Sequence, residues 1–218
     1  MKLPIRRYDL VIGLYVFGVM VAELMGAKTF PLFTIGGQHF NASVAIFVLP
    51  LLYSLTDVVV EVYGKSRARS LVYTGIAMIV LLIGYTALAT SLPPTARYAG
   101  SEAAYDQVFH ASIRISIASL VAFAVAELFD IAVFSRLRQR MHKKALWLRT
   151  NLSNFLSFFI DSAVFLTLAF YALDTPFGSN VSFLISLLLP YWFLKCLMSV
   201  AATPLVYAGV RWLKNAKD

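Results

Sequence analysis

KSRARSLVYTGIAMIVLLIGYTALAT, residues 65–90, opens with three cations in five residues and then runs for twenty-one residues without a charge. A helix needs about 20 apolar residues to cross a hydrocarbon layer ~30 Å thick. A cationic lead-in of this kind marks the end that stays in the cytoplasm. Working outward, apolar runs also occupy residues 8–30, 42–60, 111–134, 152–173 and 181–210. The chain is 60% hydrophobic and 14% charged, where a water-soluble domain carries about 25% charged residues. Its mean hydropathy is +0.75. These features predict an all-α integral membrane protein of six transmembrane helices, with residues 1–218 forming a single integral membrane domain.

The cations give the orientation. Fifteen of the nineteen Lys and Arg residues fall at the N-terminus (Lys2, Arg6, Arg7), after the second run (Lys65, Arg67, Arg69), after the fourth (Arg136, Arg138, Arg140, Lys143, Lys144, Arg149) and in the tail (Arg211, Lys214, Lys217). The other three gaps hold Arg97 alone. Both termini are therefore expected in the cytoplasm. The net charge of +8 reflects this loop bias. It is split over four short segments, which suits anionic headgroups better than nucleic acid. Cys196 is the single cysteine, so neither an intramolecular disulfide nor a cysteine metal cluster can form. The basic start MKLPIRR resembles a signal peptide, but the run after it is too long for one and lacks a small-x-small cleavage site. It is read as a retained helix. The gap 92–110, with Pro93-Pro94, is expected to form a short lid or partly ordered loop.

An ionised side chain near mid-membrane costs at least ~2.5–3.5 kcal/mol on insertion scales. Glu23, Lys28, Asp57, Glu61, Arg114, Glu127, Asp130, Asp161 and Lys195 all fall in the runs or at their edges. Lys28 and Arg114 are expected near external ends, where they can snorkel. Glu61, Asp130 and Glu127 are expected near cytoplasmic ends. Glu23, Asp57, Asp161 and Lys195 lie deeper. One reading pairs these charges to hold the bundle together; the other gathers them around a polar cavity that receives a polar substrate. Helical spacing favours gathering. Asn154 and Asp161 share one face with Ser157 between them, and Tyr53, Asp57 and Glu61 follow a four-residue step. Tyr191 and Trp192 precede Lys195 by one turn. Carboxylates that accept, amides that do both and aromatics that stack suit a flat heterocycle. Pro190 and Pro204 are expected to interrupt the last run.

Val21-Ala22-Glu23-Leu24 recurs as Val125-Ala126-Glu127-Leu128, and the same offset of 104 carries Asp57 to Asp161. Two three-helix halves, the second inverted, are one reading; chance among apolar letters is the other. Enzyme signatures are missing from the sequence. There is no Gly-x-Ser-Gly, no His-Glu-x-x-His and no Walker motif. Catalysis and ATP hydrolysis by this chain are not expected, and no cofactor or metal is called for.

The stretches SLTDVVVEVYGKSRAR (54–69) and RISIASLVAFAVAELFDIAVFSRLRQ (114–139), with Asn154, Asp161 and Lys195 in the last two helices, resemble the queuosine precursor transporter family, also called the vitamin uptake transporter family. That resemblance spans residues 8–212. It implies a six-helix inner-membrane carrier that imports 7-deazaguanine precursors of queuosine: 7-cyano-7-deazaguanine, 7-aminomethyl-7-deazaguanine and, in some members, queuine. It implies that Asp161 or Asp57 accepts from the guanine-like edge and that Lys195 or Arg114 donates to the ring carbonyl. Asn154 would bond a ring nitrogen or carbonyl, with Glu23, Glu127 and Tyr53 completing the candidate set. The alternative is a substrate-capture subunit of an energy-coupling-factor vitamin transporter. Expected partners are the deazapurine, the lipid bilayer and a second copy of the chain, with no nucleic acid.

Overall fold

The computed structural model describes residues 6–26, 28–35, 38–109, 113–141, 145–174 and 176–215; the side chains of 32–35, 38–41 and 113–114 lie outside that description. Six helices are long and apolar enough to span a membrane. They are α1 (Arg7–Met25), α2 (Leu49–Tyr63), whose span Val44–Tyr63 includes the 3-10 turn before it, α3 (Lys65–Ser91), α5 (Ile113–Arg140), α6 (Leu146–Phe170) and α7 (Phe177–Lys214). Between α1 and α2 lies a β-hairpin of β1 (Thr29–Ile35) and β2 (Gln38–Ser43), paired antiparallel. A short helix α4 (Glu102–Phe109) follows α3.

The distribution of side chains is inside-out relative to a protein in water. Phe17, Leu81, Tyr85 and Phe193 are 60–71% exposed. Asp57, Glu127, Asp130 and Arg149 have no exposure at all. Water would reverse both groups; a hydrocarbon solvent accounts for both, because it accepts the apolar rings and rejects the ions. The chain is a multi-pass membrane protein.

Helix α2 is the hub. In its span 72% of residues are buried, against 17–39% in the other five, and it packs on α1, α3, α5, α6 and α7. Small residues allow the close approach. A Cβ on Gly18 of α1 would lie 2.7 Å from Leu52 of α2, and one on Gly209 of α7 would lie 2.9 Å from Val58 of α2. Lipid supplies no hydrophobic force between helices, so such tight van der Waals fits do the holding.

Both chain ends share one face of the bundle. Arg7 donates to the Trp212 carbonyl and sits over its ring. Tyr8 meets Tyr63 edge-on at 4.9 Å between ring centroids. On this face the Glu61 carboxylate of α2 binds Arg138 Nε of α5 at 3.1 Å and Arg149 Nη1 of α6 at 2.9 Å. Arg138 Nη2 also donates to the Glu61 carbonyl at 2.9 Å. One carboxylate thus ties three helices. The opposite face carries the hairpin and the α6–α7 connection, where the Asn180 side chain both accepts from and donates to the Ala172 backbone.

Several expectations need correcting. The architecture is helical with a two-stranded hairpin rather than all-α. The first helix stops at Met25, not at residue 30, because Gly26 and a β-prone stretch follow it. Lys28 accordingly lies outside the helix, exposed. Gap 92–110 contains α4 rather than plain loop. Pro190 and Pro204 do not interrupt α7, which continues through both for 38 residues; its neighbours α2 and α6 pack along it and hold it together despite the two missing backbone bonds. Glu127 and Asp130 are not near a helix end: α5 runs on to Arg140, which places Asp130 nearly three turns and Glu127 more than three turns inside. Arg149, read as a loop cation, is the fourth residue of α6 and fully buried.

Gly64 makes the whole connection from α2 to α3, at φ 87° and ψ 174°. That region is nearly closed to any residue with a Cβ, at a cost of ~1–3 kcal/mol. Gly64→Ala is expected to lower unfolding stability in detergent by about that amount, read from the denaturation midpoint. Glu61→Gln strands the fully buried Arg149 guanidinium and the partly buried Arg138 and is expected to cost more, about 3–5 kcal/mol. A smaller loss for Glu61→Gln than for Gly64→Ala would contradict this ranking.

Candidate functional site

The candidate site is a cavity of about 160 Å³ toward the hairpin side of the bundle. Five helices supply its polar groups: Glu23 from α1, Tyr53 from α2, Ser119 from α5, Asp161 from α6, and Tyr191 with Lys195 from α7. Leu49, Phe123 and Phe165 add apolar wall. Sites for drug-sized ligands measure ~300–1,000 Å³, so this cavity suits a smaller and flatter guest. A larger groove of about 890 Å³ runs along α3 from Lys65 to Met78, but its walls come from that one helix. It is a surface furrow, not a site between elements.

Two polar pairs face the cavity. Lys195 Nζ donates to Asp161 Oδ2 at 2.6 Å and to Ser162 Oγ at 3.2 Å, and its ammonium lies 4.5 Å from the Tyr191 ring centre. The Lys195 side chain is 4% exposed and that of Asp161 19%, so the carboxylate is the member reachable from the cavity. Across from it, Ser119 Oγ donates to Glu23 Oε1 at 2.8 Å. Among the described residues Glu23 forms no ion pair. The Tyr53 ring is held edge-on against Phe158, 4.4 Å between centroids. Trp192 turns from the cavity lining to bond the Phe155 carbonyl at 2.8 Å, which clamps α7 on α6.

The candidate residues separate into two levels. Glu23, Tyr53, Asp161 and Lys195 line the cavity. Asp57 and Glu127 do not; they lie one turn or more toward the face that carries the chain ends. A turn of four residues is ~6 Å of helix, which sets Asp57 below Tyr53 on α2. Asn154 is also outside the cavity. Its Nδ2 donates to Ser199 Oγ at 2.9 Å, and Ser199 in turn donates to Asn151 Oδ1 at 3.1 Å. It belongs to a polar ladder that joins α6 to α7. The side chain of Arg114 lies outside the described residues.

Ser119 was not foreseen, and nothing in its spacing singles it out; only the tertiary placement of α5 beside α1 gives it Glu23. Arg149 and Arg138 were visible as cations but not as partners of Glu61. Tyr15 of α1, fully buried with a hydroxyl that makes no hydrogen bond, looks in sequence like one more apolar ring.

Comparison with known proteins agrees with the architecture. The family described as "Putative vitamin uptake transporter" matches residues 43–209, well over half of the chain. A protein of Bacillus subtilis (strain 168) called "Probable queuosine precursor transporter" is 26% identical over 207 residues, 93% of this chain and 86% of the relative. The "Queuosine precursor transporter" of Escherichia coli (strain K12) is 29% identical over 135 residues, 61% of this chain and 57% of the relative. A "Probable queuosine precursor transporter" of Haemophilus influenzae is 28% identical over 141 residues, 63% of this chain and 56% of the relative. No solved structure matches. With six spanning helices and a match of this extent, the chain belongs to the vitamin uptake transporter family, a family of membrane transporters and not of enzymes.

Proposed function

We propose that this protein imports 7-deazaguanine precursors of queuosine, 7-cyano-7-deazaguanine or 7-aminomethyl-7-deazaguanine, across the inner membrane, as a secondary carrier or facilitator. The printed names of its relatives support the cargo class. The observation that carries the reading is the cavity itself: two carboxyl groups, one ammonium and aromatic walls converge on a space of about 160 Å³. A guanine-like edge offers adjacent N–H and NH₂ donors, and Asp161 can accept both once it shares or leaves Lys195. Lys195 then donates to the ring carbonyl. Glu23, held by Ser119, faces the substituent end and suits an aminomethyl cation. Tyr53 and Tyr191 provide ring faces. Asp57, Glu127 and Asn154 support this site from below rather than touch the cargo.

The face with both chain ends carries Arg6, Arg7, Lys65, Arg67, Arg69, Arg138 and Arg140, so we place it in the cytoplasm and the cavity toward the outside. An inverted repeat fits this geometry. The offset of 104 maps Glu23 and Asp161, which line the cavity, onto Glu127 and Asp57, which lie together beneath it. It also maps Tyr15 onto Ser119, and each of these hydroxyl residues neighbours a glutamate, Glu127 and Glu23 respectively. Rocking of one half against the other would exchange the two levels between the membrane's faces.

A charged hydrogen bond in a buried site contributes about 1.5–3 kcal/mol, roughly 10–150-fold in affinity. Asp161→Asn and Lys195→Met are each expected to weaken binding of 7-cyano-7-deazaguanine to the purified protein by that factor, and to abolish uptake by cells that lack their own importer. The double variant Asp161→Asn/Lys195→Met removes both charges together and is expected to fold as wild type yet remain unable to bind. Full binding by the double variant would refute the assignment.

A further inference from the structure

Beneath the cavity lies a second set of ionisable groups that cargo recognition does not use. Asp57 of α2 and Glu127 and Asp130 of α5 are fully buried. Glu127 Oε2 accepts from the Thr56 hydroxyl at 3.0 Å and Asp130 Oδ1 from the Ser157 hydroxyl at 3.1 Å. Their other oxygens, Glu127 Oε1 and Asp130 Oδ2, make no hydrogen bond, and neither oxygen of Asp57 makes one. The Thr150 hydroxyl lies beside Asp57 but outside bonding geometry. The Tyr15 hydroxyl, on a different helix, is also buried next to Glu127 and Thr56, outside bonding geometry with either. Unpartnered oxygens with no exposure are rare in folded proteins and call for an occupant.

The charges around the cluster do not neutralise it. Arg138 and Arg149 lie one level further toward the chain ends, and both are bonded to Glu61. Two guanidinium groups against one carboxylate leave one surplus positive charge, enough to offset one of the three acids. Tyr15 on α1 is neutral. Helix α3 carries no acid or cation beyond Arg69. Lys195 of α7 is one level up and bound to Asp161 of α6. Asp57 therefore lacks the ammonium that Asp161, its mate at the offset of 104, possesses. Among the described residues no group of His, Cys, Asp and Glu is gathered closely enough to hold a metal ion. The smallest cation that can fill the place is a proton, which turns an acceptor oxygen into a donor.

We infer that Asp57, Glu127 and Asp130 form a proton-binding site whose loading is coupled to cargo import. The inference rests on the transport reading above. An ion buried without a counter-charge costs several kcal/mol, so the bundle closes over this level only when the acids carry protons. Opening toward the cytoplasm admits water, and the protons leave as the carboxylates become solvated. Cargo and proton would move in the same direction, and the proton gradient would supply the work.

The test uses purified protein in liposomes with labelled 7-cyano-7-deazaguanine. Wild type is expected to concentrate the cargo when the interior is alkaline, by about tenfold per pH unit for each proton moved, and to lose that accumulation when a protonophore is added. Asp130→Asn and Glu127→Gln are expected to keep exchange of internal for external cargo, which needs no proton release, and to lose accumulation. Accumulation that ignores the protonophore, that follows a sodium gradient, or that persists in both variants would overturn the coupling. Infrared spectra of the purified protein provide a readout free of cargo: a carboxylic-acid C=O band at neutral pH, weakened in Glu127→Gln and in Asp130→Asn. Lack of any exchange by wild type would refute the cargo reading, and the infrared band would then decide the proton site alone; its absence would overturn that too.

Discussion

Lipid does not solvate ions, and this bundle places Glu23, Asp57, Glu61, Glu127, Asp130, Arg149, Asp161 and Lys195 inside its spans. The Glu61 carboxylate held between Arg138 and Arg149 is the interaction that makes the arrangement tolerable on the side of the chain ends. It joins α2, α5 and α6 at one level and meets a guanidinium with no exposure at all. Removing one partner of such a set leaves a buried charge with nothing to answer it, which is more damaging than never having built the pair. Closure here allows the cavity to exist on the other side: a bundle tied at one end can be hollow at the other without coming apart.

The polar interior is ordered in layers along α2. Tyr53 borders the cavity, Asp57 lies one turn on, and Glu61 another. Each layer is completed by the helices around it. The first layer pairs Asp161 with Lys195 and Glu23 with Ser119. The second collects three acids and no bonded cation. The third is the arginine-bound lock. A carrier needs a place that cargo reaches, a barrier behind it, and a reason for the barrier to open only under defined conditions. Charge balance differs from layer to layer, and that difference suits each to a separate part of the cycle proposed above.

Much of this was legible from residues 65–90 and their counterparts, because twenty-one uncharged apolar residues after a cluster of cations have few physical outcomes. The six spans came out in number and order, with ends displaced by up to six residues, and the deep acids were recognised as unusual because each is expensive in hydrocarbon. The hairpin was not. Its strands, Thr29–Ile35 and Gln38–Ser43, fall mostly in the gap between the first two apolar runs, and the sign overlooked was Gly36-Gly37 between two β-prone stretches. Arg149 was misplaced for a related reason: hydropathy marks where lipid begins, whereas α6 starts two turns before its apolar run at residue 152. Which acids meet in one cavity was beyond the sequence. Asp57 and Asp161 stand 104 residues apart, yet only Asp161 lines the hollow, because the packing of α2 and α6 against their neighbours, not their spacing, decides which acid faces it.

The central claim is that a deazapurine sits among Glu23, Tyr53, Asp161 and Lys195, above a sealed layer of acids. A structure of the protein with 7-cyano-7-deazaguanine bound tests it most directly. The account predicts density for the bicyclic ring in that cavity, with the amino edge at Asp161 and the ring carbonyl at Lys195, and with Asp57 out of reach. Cargo bound elsewhere on the molecule, with the Asp161–Lys195 pair unchanged and the cavity empty, would contradict it.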